Sequence, residues 1–111
     1  MTPTTLSWIA LEQIPYFWAV LHECLRMVPG VSHRSARIAP TEDLHFQQWV
    51  IPRGTPIGMT SMINHWDTQL FPEPDEFVPE RWLDNNGGQK WGLQKRLIAF
   101  GKGSRVCIGM E

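Results

Sequence analysis

The sequence predicts an α+β chain that is poor in regular structure. Three observations lead there: one apolar stripe at helical spacing, two β-rich runs around a Pro-Arg-Gly turn, and a long tract dense in Pro, Gly, Asp and Asn. The chain has 111 residues, enough for one domain. Ten basic and eleven acidic residues give a net charge of −1, with no run of like charge. That balance argues against a nucleic-acid binder or a polybasic membrane binder. Two cysteines cannot build a disulfide scaffold. Nine Gly, nine Pro and six Trp are a heavy load for this length, because the rings need a large core or a partner surface. The expectation is a piece of something larger.

The elements follow in order. Residues 1–11 carry no basic residue, so the start lacks the charged head of a signal peptide. The apolar stretch 6–11 is far short of the roughly 20 residues a membrane span needs. A helix is expected over 15–28. Pro15 suits its first position, and Ile14, Phe17, Trp18, Leu21, Cys24, Leu25 and Val28 form one stripe, with Pro29-Gly30 as the stop. Residues 31–39 read as extended and carry Arg34 and Arg37. A hairpin is expected over 44–63, with strands at 44–51 and 55–63 joined at Pro52-Arg53-Gly54. Residues 64–99 read as coil with at most a short helix, and 100–109 as a glycine-rich loop. A structureless run of that length is uncommon unless function requires it.

Three constellations can carry chemistry. Glu23-Cys24-Leu25-Arg26 places an acid and a base three apart on the helix, opposite the apolar stripe, which by itself reads as an exposed pair worth about 0–1 kcal/mol. Phe77 to Trp82 contains Pro79-Glu80-Arg81-Trp82, by composition a solvated loop. Phe100-Gly101-Lys102-Gly103-Ser104-Arg105-Val106-Cys107-Ile108-Gly109 sets a cysteine among glycines that let backbone approach a bulky planar ligand. Arg105 can hold an anionic group of that ligand. Cys107, among backbone N–H groups and near an arginine, is a candidate thiolate, a soft ligand suited to iron. The bland alternative is a buried structural cysteine beside a turn.

Rival readings of the loop fail on spacing. A phosphate loop would need glycine where Arg96 stands and Ser or Thr where Gly103 stands. Zinc would need paired ligands, whereas Cys24, Cys107, His22, His33, His45 and His65 are scattered, and the histidines read as loop or surface residues. A Cys24–Cys107 disulfide would need oxidising conditions, and Cys24 on the stripe reads as core.

Taken together and in order, the three constellations resemble the C-terminal third of a cytochrome P450, a haem-thiolate monooxygenase, from about Leu11 onward and with a fungal character. Gly54-Thr55-Pro56 and Asn64-His65 leading to Phe71-Pro72-Glu73-Pro74 look alike too. The resemblance implies a mostly α parent fold and a haem b cofactor, with Cys107 as axial ligand of its iron. It assigns Arg105 and Arg37 to the haem propionates, with Arg34 as an alternative to Arg37. Phe100 would pack near the sulfur, Gly103 and Gly109 would allow close approach, and Val31, Ser32 and His33 would touch substrate. Glu23, Arg26 and Arg81 would form the family's buried charge network.

The implied activity is insertion of one oxygen atom from O₂ into a small organic substrate, with electrons from a reductase and no nucleic acid involved. The family's oxygen-activating helix has no counterpart here, so no catalytic residue is assigned. The alternative expectation is a catalytically incompetent remnant, or a haem-binding or interaction fragment. Membrane association would come only through N-terminal segments outside this chain, and the expected setting is intracellular, with the endoplasmic-reticulum membrane as the place for a longer parent. Lys90, Lys95, Arg96 and Lys102 could suit an acidic redox partner.

Overall fold

A computed structural model describes residues 7–28 and 30–110. Its elements are helix α1 (Trp8–Glu12), helix α2 (Pro15–Met27), strands β1 (Leu44–Phe46) and β2 (Trp49–Ile51), helix α3 (Ser61–His65) and helix α4 (Trp91–Gln94). Three 3₁₀ turns stand at Pro79–Trp82, Gly103–Arg105 and Ile108–Met110. Among the described residues no helix is long and apolar enough to cross a membrane.

α1 forms because the Ser7 hydroxyl accepts from the Ala10 amide and so caps the first turn. Its sequence carries no long apolar stripe, and no helix was expected there. α2 begins at Pro15, whose missing N–H is no loss at a first helical position. It ends at Val28, whose amide donates to the Cys24 carbonyl, while the expected stop residue Pro29 lies outside the described residues.

The hairpin differs from expectation. β1 and β2 pair antiparallel with Leu44 opposite Ile51 and Phe46 opposite Trp49, so both strands fall inside the run expected to be one strand. The loop is Gln47-Gln48, with Gln47 in the left-handed region at φ 52°, a conformation that glutamine does not advertise. Pro52-Arg53-Gly54 does turn, but Gly54 ties to the Ala39 carbonyl. The segment after it pairs with the chain before the hairpin through an Arg37–Ile57 bridge. Residues 61–65 are helix because the Thr60 hydroxyl caps them at the Met62 amide, which overrides the apolar alternation.

The long coil holds more than one short helix: the 3₁₀ turn at Pro79–Trp82, then α4. Between them Leu83 bridges Gln89. The core is small. Trp18 and Ala19 of α2 meet Phe71 and Trp82 from the coil, with Leu70, Leu83, Leu93 and Leu97 packed around them. Pro79 and Trp82 are buried, so the turn that composition marked as solvated is part of this core.

α2 therefore buries only part of the stripe: Trp18 enters the core, and the rest of the buried face is Ala19, Glu23 and Arg26. Cys24 is exposed and is not a core residue, and Val28 is 74% exposed. The reason is chemical: Glu23 and Arg26 find enough partners to be buried, and the stripe beyond Trp18 is left for other contacts.

Candidate functional site

The charge network comes first, because it joins α2 to the coil. Glu23 and Arg26 are wholly buried, contrary to the exposed pair that the helical wheel suggests. The Glu23 carboxylate accepts from Arg26 Nε at 2.9 Å, Arg26 Nη2 at 2.9 Å, Arg81 Nε at 3.1 Å, the Val78 amide at 3.0 Å and Trp82 Nε1 at 2.8 Å. Burial pushes the Glu23 carboxyl up, but these donors outweigh it and hold the group below its usual value. The Arg26 guanidinium also donates to the carbonyls of His65, Pro74 and Glu76, and its carbon lies 5.5 Å from the Trp66 ring centroid and 5.6 Å from that of Phe71. Arg81 donates to the carbonyls of Pro72 and Glu73. Three charged side chains thus fix residues 72–82 against the helix.

The second part is a cavity of about 690 Å³ beside the C-terminal half of α2. Leu25 and Val28, stripe residues that the core does not use, line it. So do Val31, His33, Arg37 and Met59 on one side, and Phe100, Gly101, Arg105 and Cys107 on the other. Arg37, Arg105 and Cys107 also share a neighbouring cavity of about 620 Å³. Arg34 lines neither cavity, which separates the two arginine candidates. Ser32 is not in the walls, and its carbonyl accepts from the Thr60 hydroxyl.

Local backbone places these groups. Arg37 exchanges both main-chain hydrogen bonds with Ile57, at 2.7 and 2.8 Å. Gly58 lets that segment come close: a Cβ there would stand 2.8 Å from Arg34 Cγ and 3.0 Å from the Ser35 carbonyl. In the cysteine loop Gly101 and Gly103 sit at φ 75° and 78°, where a side chain would be strained. The Cys107 amide donates to the Phe100 carbonyl at 2.8 Å and closes the loop. Cys107 and Arg105 are exposed, and a Cβ on Gly109 would only touch the Cys107 sulfur at 3.8 Å.

Such walls fit a flat, largely apolar ligand with anionic edges and a metal that accepts sulfur. The lining supplies one thiol, two guanidinium groups and several apolar side chains. The Ser61 hydroxyl lies in the same wall and, among the described residues, is the buried side-chain polar atom with no hydrogen-bond partner. An orphan of that kind is costly unless a ligand or water satisfies it. Among the described residues no cluster of three or more His, Cys, Asp or Glu could hold a metal by itself, so Cys107 could hold iron only as one ligand of a larger group.

Sequence reasoning missed two residues. His22 and His65 are not loop or surface histidines. His22 stacks on Trp18 at 3.9 Å between ring centroids, and His65 is wholly buried. Burial holds both imidazoles below their usual value. No local sequence signal marks His65, because its ring bonds to the backbone of Arg26 and Ile98.

The family model "Cytochrome P450" matches residues 3–111. A cytochrome P450 monooxygenase oblB of Emericella variicolor is 48% identical over 101 residues, covering 91% of this chain and 18% of that protein. A fusicoccadiene C-8 hydroxylase of Phomopsis amygdali is 40% identical over 105 residues, covering 95% of this chain and 20% of that protein. The solved structure of retinoic acid-bound cyanobacterial CYP120A1 superposes with a TM-score of 0.76 at 31% identity, over 94% of this chain and 24% of that one. The chain thus spans about a fifth of the length of the curated relatives it matches.

Proposed function

The chain belongs to the cytochrome P450 family, and from that premise we propose that it forms the thiolate side of a haem site in a monooxygenase that inserts one oxygen atom from O₂ into an organic substrate. The observation that carries the reading is the shared cavity: Cys107, Arg37 and Arg105 line one space with an apolar wall. Haem held there supplies the dioxygen chemistry.

The chain's own residues do the rest. Cys107 would supply its sulfur, and the hydrogen bond that its amide donates to the Phe100 carbonyl fixes the direction of its backbone. As a thiolate, Cys107 would be an electron-rich ligand for the haem iron. Phe100 lines the same space as Cys107 and would pack near the sulfur of a bound haem-thiolate unit. Arg37 and Arg105 would pair with the two propionates through charge-assisted hydrogen bonds. Gly101 and Gly103 let backbone turn tightly at the ligand.

Val31 and His33 stand on the cavity wall where a substrate would approach, and the apolar lining favours an apolar organic molecule. The relative named as a fusicoccadiene C-8 hydroxylase supports hydroxylation as the outcome. Electrons come from a separate redox partner, for which Lys90, Lys95, Arg96 and Lys102 offer positive charge close to the loop.

The test is a carbon monoxide spectrum. Haem is supplied to the chain and to Cys107→Ser, then reduced and exposed to carbon monoxide. The expected result is a red-shifted Soret band of the thiolate type that Cys107→Ser abolishes. A folded chain that takes up no haem, or takes it up with the same band in Cys107→Ser, overturns the reading.

A further inference from the structure

We infer that His65 is the positioning residue that holds the cysteine loop in register, through the backbone amide of Ile98. The spectroscopic consequence rests on the haem-thiolate reading; the mechanical one does not. His65 closes α3 and is wholly buried with both ring nitrogens engaged. Nδ1 lies 3.1 Å from the Arg26 carbonyl, which can only accept, so Nδ1 carries the proton. Nε2 lies 3.0 Å from the Ile98 amide, which can only donate, so Nε2 is the acceptor. A single neutral tautomer satisfies both, and burial favours that neutral form.

From Ile98 the restraint runs on to the cysteine. The Ile98 carbonyl accepts from the Gly101 amide at 3.0 Å and closes the turn into the loop. The Phe100 carbonyl accepts from the Cys107 amide at 2.8 Å. A short relay of hydrogen bonds therefore joins the end of α2 to the ligand cysteine, and the imidazole is its one side-chain member. Residues 101–110 are exposed throughout, so the loop has little burial of its own to hold it. The charge network does not substitute: its bonds end on residues 65 and 72–82. Among the described residues, the side chains from outside that reach the backbone of 96–100 are His65 and its neighbour Asn64, whose Nδ2 donates to the Arg96 carbonyl at 2.6 Å.

The chemistry of substitution isolates the role. His65→Asn keeps a donor where Nδ1 stands, for the Arg26 carbonyl, but is too short to accept from Ile98. His65→Gln places an amide oxygen near the Nε2 position and can accept again. Amide hydrogen exchange is read residue by residue on the 111-residue chain, and the carbon monoxide spectrum on its haem-loaded form.

The expected result is that His65→Asn speeds exchange at Ile98, Gly101 and Cys107 about tenfold while the Val28 amide of α2 is unmoved, and that His65→Gln restores them. In the haem-loaded chain His65→Asn shifts the Soret band partly away from the thiolate position, and His65→Gln returns it. Unchanged exchange at those three amides in His65→Asn overturns the inference. So does exchange that rises equally in α2, which would make His65 a general packing residue, and so does a wild-type chain whose loop amides exchange at coil rates. Protected loop amides without a thiolate band in the wild type would instead overturn the haem reading and leave this one standing.

Discussion

Replacing Glu23 by glutamine tests the charge network at its centre. The carboxylate collects five donors, two of them from Arg26 and one from Arg81. Glutamine keeps the shape but turns one oxygen into a donor, so at least two of the five bonds face N–H against N–H. It also leaves the wholly buried Arg26 guanidinium without its counter-charge. Removing one partner of a buried ion pair costs about 3–5 kcal/mol. A chain of this size has a total stability of about 5–15 kcal/mol, so roughly a fifth or more of it is at stake. With a urea dependence of about 1–3 kcal/mol per molar, the midpoint falls by about 2 M. Tryptophan fluorescence reports the transition directly, because Trp82 donates to the substituted group. Asp43→Asn is the control: its pairing with Arg53 at 3.7 Å is largely exposed and worth at most about 1 kcal/mol. A Glu23→Gln midpoint no lower than that of Asp43→Asn would refute the argument that burial gives this network its weight.

Three further outcomes follow from the same geometry. Arg37→Ala and Arg105→Ala each weaken haem affinity about tenfold in a haem titration, whereas Arg34→Ala, outside both cavities, leaves it unchanged. Gly58→Ala forces a methyl against Arg34 Cγ and the Ser35 carbonyl, costs about 1–3 kcal/mol in a urea melt, and loosens the Arg37–Ile57 bridge so that haem affinity falls with it. Thermal melting against pH shows two losses. His22 and His65 sit below the usual 6.5, so the folded chain binds fewer protons, and stability present above that value drops as pH falls through the window beneath it, by up to about 1.4 kcal/mol per pH unit for each group. Glu23, held below the usual 4.5, adds a second loss as pH falls below that value, and Glu23→Gln removes this second loss.

How much of this was legible depends on where the physics is local. The spacing of Glu23 and Arg26, the Pro79–Trp82 run and the cysteine loop could be read directly, because each is a short pattern of specific residue types. Their burial could not be read from the residues alone. A helical wheel assumes that only the apolar face goes inward, and α2 breaks the assumption because, beside Trp18, Glu23 and Arg26 are buried through partners on a coil more than 40 residues away. The same reversal explains Cys24, Leu25 and Val28, which face outward or onto the cavity. The hairpin was misplaced because its loop is Gln47-Gln48, which carries no turn signal, while Pro52-Arg53-Gly54 carries a strong one that serves a different turn. The α3 segment lost its helix to an apparent alternation, although Thr60 was a legible cap. His65 was hidden because a histidine's two bonds depend on backbone groups 33 and 39 residues away.

The central claim is that Cys107 is the sulfur ligand of a haem iron in the cavity it shares with Arg37 and Arg105. Iron-edge X-ray absorption on the haem-loaded chain measures this without reference to activity. The expected result is one sulfur in the first coordination shell of the iron, lost in Cys107→Ser and retained in Cys24→Ser. A first shell of nitrogen and oxygen alone in the wild type, or a sulfur that survives Cys107→Ser, would contradict it.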